Sequence, residues 1–352
     1  MESHRNFAAD RPADKQQVWP EDGLEHLGAC PVCASSLRLV KHHGLTDLSF
    51  ECAAGQWTLW QCDLCRSAYL DPRPAHTHIG LAYARYYTHG ADQAELPPRN
   101  PAIGWLRTAI GNAYVNVRFG SALRPALPGG ALLLGLMPRQ RLALDYRYRH
   151  IRKLPPYGGK LLDIGCGNGD FLVRAQRLGW QGHGLEPDPA AVNAARGAGL
   201  DVLQGGIEQL AGQSEAFDQI SLCHVIEHVH DPLTLLAACY RLLRPGGMLS
   251  IEAPNPNSHG SDRFGAAWRG FETPRHLVLL SHPALHDALL RCGFARSEDL
   301  PAVDPSDTMA SESVAMAARA DPPLPLPEVP VDETASSDPL RREFLTVGAW
   351  KK

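Results

Sequence analysis

Three groups of residues combine types and spacings suited to chemistry. Cys30 and Cys33 are followed, after 28 intervening residues, by Cys62 and Cys65, giving two C-x-x-C pairs. Two such knuckles can set four thiolates around one tetrahedral metal and leave no open position, so structural zinc is expected. A redox role for one pair is disfavoured by the presence of two. Gly165, Gly167 and Gly169 alternate through a short turn flanked by Asp163 and Asp170, leaving backbone bare of Cβ atoms where a ligand must come close. His224, Glu227 and His228 then gather groups that can move a proton, with His276 as a more distant fourth.

Periodicity indicates the elements that must position these residues. From Gly158 onward short apolar runs alternate with helical patterns, the signature of a parallel sheet with crossover helices on both faces. Strands are expected at 160–164, 181–186, 202–205, 217–223, 248–253 and near 295–300, with a last one at 343–350, so the fold class is α/β with a seven-stranded sheet. Helices are expected at 169–178, 189–198 and 232–243, the last stopping before Pro245. Four pieces result: a polar leader (1–27), the cysteine module (28–75), a basic connector (76–157) and the α/β domain (158–352). Residues 321–339 read as a proline-rich loop. Within the cysteine module a β-hairpin is expected to use residues 48–52 and 57–61, leaving Cys52 unligated.

The glycine turn restricts the cofactor. Glu186 ends the second strand, 21 residues after Gly165, where an acid suits the hydroxyls of a ribose; Asp188 is the better helix cap. A nicotinamide dinucleotide needs the longer G-x-G-x-x-G turn. Two carboxylates beside its pyrophosphate would repel it, whereas a sulfonium and an α-amino group would be attracted. Electrostatics therefore favours S-adenosylmethionine.

Five collinear motifs carry a resemblance: residues 162–169, 184–188, 217–222, 224–228 and 243–249. Together they resemble the class I, Rossmann-like S-adenosylmethionine-dependent methyltransferases, and the 224–228 segment resembles the ubiquinone and menaquinone O-methyltransferases. The resemblance implies that Asp163, Gly165, Cys166 and Gly167 border the amino-acid part of the cofactor and that Glu186 holds the ribose. It places Ile207 and Glu208 against the adenine, and His224 at the sulfonium side. Cys166 also reads simply as a turn residue.

Methyl transfer is an in-line displacement in which alignment supplies much of the acceleration, and a base is needed only where the acceptor carries a proton. His224, Glu227, His228 and His276 are the candidates, against a packed histidine as the plainer reading of His228. A divalent metal on Glu227 alone is a weak claim. Trp268, Arg269, Glu272 and Arg275 mix stacking and charge beyond the fifth strand and are expected to line an acceptor pocket. The alternative is a loop pinned by an Arg275–Glu272 pair.

Hydrophobic residues at 44% and charged residues at 20% describe an ordinary soluble chain. Residues 1–20 lack the apolar stretch of a secretory signal, so a cytoplasmic setting and reduced cysteines are expected. Charge divides unevenly, with 19 Lys and Arg against 13 Asp and Glu in residues 1–160, and 15 against 25 thereafter. Residues 99–153 hold ten basic residues and one acid, Asp145. This connector reads as a helical cap with Leu106, Ile110, Ala113 and Val117 on one face. A lid over an anionic or lipid-carried acceptor, a membrane contact, and an RNA-binding surface are the alternatives. The acidic catalytic half weighs against RNA, so a small-molecule, glycan or lipid-linked acceptor is expected. RNA methylation comes second, and a non-catalytic cofactor-fold binding protein third.

Overall fold

A computed structural model describes residues 18–84 and 101–352; residues 1–17 of the leader and 85–100 of the connector lie outside the described residues. The N-terminal part contains β1 (Leu24–Glu25), β2 (Arg38–Leu45), β3 (Trp57–Cys62), β4 (Ala68–Leu70) and β5 (Arg73–Pro74). The connector supplies α1 (Pro101–Phe119), α2 (Gly130–Gly135) and α3 (Pro138–Arg147). There follow β6 (Lys160–Ile164), α4 (Asp170–Arg177), β7 (Gln181–Glu186), α5 (Pro189–Gly197), β8 (Asp201–Gln204), β9 (Phe217–Cys223), α6 (Pro232–Leu242) and β10 (Leu243–Pro254). The chain ends with α7 (His259–Phe264), β11 (Val278–Leu279), α8 (His282–Arg291), β12 (Arg296–Asp299), α9 (Ser306–Arg319) and β13 (Phe344–Trp350).

Seven strands form the main sheet in the order β12-β13-β10-β9-β6-β7-β8, parallel from β10 to β8 and antiparallel at β13. The central strand β6 is buried on both faces, as a continuous apolar run predicts. Leu162 and Ile164 enter one core with Leu235 and Leu236 of α6 and Leu285 of α8. Leu161 enters the other with Phe171 and Leu172 of α4, Val192 of α5, and Val115 and Phe119 of α1. Asp188 caps α5 through the Ala190 amide, with Pro189 in the first turn.

The connector packs differently from the expected face. Ala109, Ala113, Tyr114, Val115 and Phe119 are the buried positions of α1, whereas Leu106 and Val117 are exposed. Tyr114 and Phe119 take the inward face, while Trp105 points outward. The sequence does not announce helices α7, α8 and α9 or strands β1, β4, β5 and β11.

The cysteine module shares its sheet with the C-terminal half. β11 pairs with β4, completing a four-stranded sheet β11-β4-β3-β2. Trp57, Leu59 and Leu70 pack in one core with Trp268, Phe271 and Leu279. The hairpin also departs from expectation: β2, not residues 48–52, pairs with β3. Residues 48–52 instead bend around the Asp47 carboxylate, which accepts from the amides of Phe50, Cys52 and Ala53, a local bonding pattern that competes with strand formation.

Candidate functional site

The parallel strands β6, β9 and β10 deliver the glycine turn, His224 and Glu252 to one end of the sheet, their carboxyl ends, where open α/β sheets bind ligands. In the turn Gly165, Gly167 and Gly169 all have positive φ, at 67°, 54° and 86°. A Cβ on Gly165 would meet Val225 at 2.6 Å and one on Gly169 would meet Leu200 at 2.1 Å, so both are packed from behind. Gly167 has nothing within 4 Å at that point and faces open space. The Gly165 and Cys166 amides donate to the Leu185 carbonyl, tying the turn to β7. Glu186, buried at the end of β7, accepts from the Gly167 amide at 2.8 Å and the Asp188 amide at 3.0 Å. Glu208 accepts from the Gly206 amide at 2.6 Å, closing the turn that contains Ile207.

Asp163 is fully buried. Its Oδ1 pairs with Arg149 Nη1 at 2.6 Å, while its Oδ2 makes no hydrogen bond. Burial pushes the carboxyl up to about 6 against the opposing pull of Arg149. Arg149 also donates to Ser221 at 3.2 Å and lies over the Phe171 ring at 4.3 Å. It follows α3 in a left-handed conformation, φ 46°, as does His150 at 52°. The strained pair of residues turns the basic connector into the site.

A cavity of about 350 Å³ opens beside these groups, lined among others by Tyr146, Arg149, Arg174, Cys223, His224 and Glu252. His224 has φ 54° and a partly exposed ring, with Nδ1 3.3 Å from Glu227 and Nε2 3.3 Å from Glu252. Burial opposes protonation, yet the bonds to Glu227 and Glu252 hold the imidazole well above its usual pKa. Tyr146 donates to the same Glu252 oxygen at 2.8 Å. Behind His224 sit buried Glu227 and His276 with half-buried His228, their ligand atoms all within 4.8 Å of one another. The His276 Nδ1 lies 2.7 Å from the Gly270 carbonyl and so carries the proton, and Tyr83 bonds the His228 Nδ1 at 2.9 Å. Burial and the neighbouring His228 push His276 down to about 4, keeping it neutral. The cluster suits proton relay or a divalent cation equally.

The second expected patch is placed elsewhere. Trp268, Arg269, Glu272 and Arg275 do not line this cavity. Trp268 and Arg275 are 0% exposed. Trp268 donates to Glu343 at 2.8 Å. Arg275 is bonded through both terminal nitrogens to Asp47 at 2.6 and 3.0 Å, through Nε to Glu272 at 3.1 Å, and to the Ala82 carbonyl at 2.9 Å. Arg269 pairs with Glu272 and, at 2.9 Å, with Glu312. Although burial pushes it up, His276 and the arginines hold Glu272 at about 2. These groups are spent stitching the cysteine module to the C-terminal half. The residues at the cavity that sequence reasoning passed over are Tyr146, Arg149 and Glu252. Glu252 had a signal, a lone acid in an apolar strand.

The four module cysteines converge, with Cys30 and Cys65 sulfurs 3.6 Å apart and Cys33 and Cys62 sulfurs 3.4 Å apart. Backbone amides of Val32 and Cys65 point at Cys30 and Cys62 sulfurs, at 3.4 and 3.5 Å. This donor set fits one tetrahedral zinc ion.

Residues 139–297 match a family model described as a methyltransferase domain. A ubiquinone biosynthesis O-methyltransferase of Cereibacter sphaeroides is 36% identical over 137 residues, covering 37% of this chain and 56% of that protein. One from Xanthomonas oryzae pv. oryzae is 37% identical over 155 residues, 41% of this chain and 65% of that protein. The chain thus spans between about half and two thirds of these relatives' lengths. A solved S-adenosylmethionine-dependent methyltransferase from Archaeoglobus fulgidus is 19% identical, covers 61% of this chain and 94% of that one, and has a TM-score of 0.41.

Proposed function

We propose, for a chain that carries a class I S-adenosylmethionine-dependent methyltransferase domain, that it methylates a small or lipid-linked acceptor held in the cavity beside His224. The observation that carries this reading is the adjacency of two features. An acidic, Cβ-free cradle with an orphaned carboxylate oxygen on Asp163 adjoins a cavity edged by a carboxylate-flanked histidine. The cradle fits a cofactor that presents a cation and a ribose. Asp163 would take its amino group, Arg149 its carboxylate, Glu186 the ribose, and Ile207 with Glu208 the adenine edge. When bound, that cofactor supplies an electrophilic methyl group and its own leaving group.

The chain's part is orientation and proton management. His224, charged between Glu227 and Glu252, leaves one negative charge in excess across the three groups. Burial pushes the Glu252 carboxyl up, but His224 and Tyr146 hold it below the usual carboxylate range. It therefore stays ionised to orient an acceptor hydroxyl and receives its proton only as the methyl group transfers, while His224 fixes its position. Glu227, His228 and His276 back this array as positioning residues. Tyr146, in the last turn of α3, holds Glu252 and lines the cavity.

The acceptor class rests on the connector. Ile103 and Trp105 on α1, Leu132 on α2 and Leu136 just after it are exposed, Leu132 at 80% and Leu136 at 82%, in a stretch of chain rich in arginine. Exposed apolar side chains in a basic stretch of chain suit an acceptor carried at a lipid surface. No described helix is long and apolar enough to cross a membrane. The cysteine cluster is read as structural zinc, and the setting as cytoplasmic.

The test is incubation of the full chain with methyl-labelled cofactor and fractionated cell extract. Label in the lipid or small-molecule fraction, lost in Glu252→Gln, is expected. Label confined to an RNase-sensitive fraction overturns the acceptor class. Failure to bind S-adenosylhomocysteine overturns the reading altogether.

A further inference from the structure

We propose a second metal site, for a divalent transition ion such as zinc, formed by His282, His286 and Asp299 at the junction of α8 and β12. His282 and His286 stand four residues apart on α8 and so project from the same helix face. Asp299 ends the neighbouring edge strand. The three ligand atoms lie within 4.8 Å of one another. His282 Nε2 is 2.9 Å from Asp299 Oδ2, and His286 Nε2 is 3.7 Å from Asp299 Oδ1. Tetrahedral zinc with bonds near 2.1 Å requires ligand atoms roughly 3.4 Å apart, and the two histidine–carboxylate separations bracket that value.

Hydrogen bonding around the cluster is that of a prepared ligand set. The His286 Nδ1 is bonded to Ser297 Oγ at 2.7 Å, which fixes the ring. Its Nε2 is buried, makes no hydrogen bond and faces the Asp299 carboxylate. With no hydrogen bond across the 3.7 Å gap the pair is under-satisfied, and a cation bound through the imidazole lone pair and the carboxylate completes both groups. Arg342 anchors the carboxylate from the other side, 3.0 Å from Oδ1, while His282 Nε2 lies within 3.0 Å of both oxygens. Two imidazoles and one carboxylate favour a borderline ion such as zinc over calcium or magnesium. The side chains are 17%, 20% and 28% exposed, so a fourth position opens to water or an anion. The site is distinct from the four-cysteine cluster, which is closed. Leu300, the residue after Asp299, lines the cavity beside His224, so an ion here would stiffen one wall of it.

The experiment counts zinc on the purified full chain, by metal analysis after titration and by calorimetry. Two classes are expected: a tight equivalent on the cysteines and a weaker one removed by either His282→Gln or His286→Gln. Both variants leave Asp299 and its Arg342 partner intact, and circular dichroism confirms that they fold. Cobalt titration supplies a second readout, a tetrahedral absorption component lacking thiolate character that disappears in both variants. A single zinc equivalent in the unaltered chain overturns the proposal. So does a second equivalent that survives His286→Gln, which would locate it at another cluster.

Discussion

The turn at Gly165–Gly169 and the loop at Trp268–His276 both gather polar groups after strands of one sheet, yet they dispose of them in opposite ways. Around the turn, partners run short: Asp163 keeps an oxygen without a hydrogen bond and Gly167 faces open space. In the loop, Arg275 is bonded by Asp47, Glu272 and a backbone carbonyl, and Trp268 by Glu343. Buried polar groups that satisfy one another specify a fold, whereas those left wanting specify a ligand. The contrast assigns the turn to binding and the loop to architecture.

The sharpest way to break that contrast is Arg275→Met. If the loop is architectural, Asp47 is left as an unpaired buried carboxylate, and stability should fall by about 3–5 kcal/mol in denaturant unfolding. The β2–β3 region should loosen with it, since Asp47 organises the 48–53 bend. A variant of unchanged stability but raised acceptor KM would return Arg275 to a binding role. On the other side, Glu186→Ala should weaken S-adenosylhomocysteine about ten- to hundredfold by calorimetry, the range for hydrogen bonds to a charged group. The unfolding midpoint should move much less than in the arginine variant.

The contrast also explains what was legible in the sequence. Strands β6, β7 and β9 are readable to the residue: β6 is an apolar run ending in a glycine turn, and β7 and β9 are located by the motifs at 184–188 and 217–222. The glycine turn and Glu186 are local in sequence, so spacing locates them. Arg149 is not local: it reaches Asp163 across a left-handed corner that no periodicity announces. The loop misleads for the same reason. Trp268, Glu272 and Arg275 have the composition of a pocket, and their saturation depends on Asp47 and Glu343, far away in the chain. Strand β11 has two residues, too short for any period to show.

The pH dependence of binding sharpens the comparison at the turn. Burial raises the Asp163 carboxyl from 3.8 to about 6. The folded state therefore keeps a proton that the unfolded chain releases, and stability of the free protein should decline as pH rises from about 4 to about 6. Affinity for the cationic cofactor should move the other way, rising as Asp163 ionises and levelling off above about pH 7. Calorimetry across that interval checks it, and Asp163→Asn should flatten the profile. A flat profile in the unaltered chain would remove Asp163 from the cofactor's neighbourhood.

The smallest expected effect on binding lies at Trp268. Trp268→Phe keeps an aromatic ring against Phe271 and deletes the donor to Glu343, whose carboxylate is also held by the Gly260 amide at 2.8 Å. Stability should drop by about 2 kcal/mol, the worth of a hydrogen bond to a charged group, with the void left by the smaller ring adding to it. Because the ring contributes nothing to the cavity wall, KM for acceptor and cofactor should stay unchanged. A rise in acceptor KM alone, with stability intact, would mean that the loop opens in solution to present Trp268 to a ligand. That result would erase the distinction between saturated and unsaturated regions from which the site was assigned.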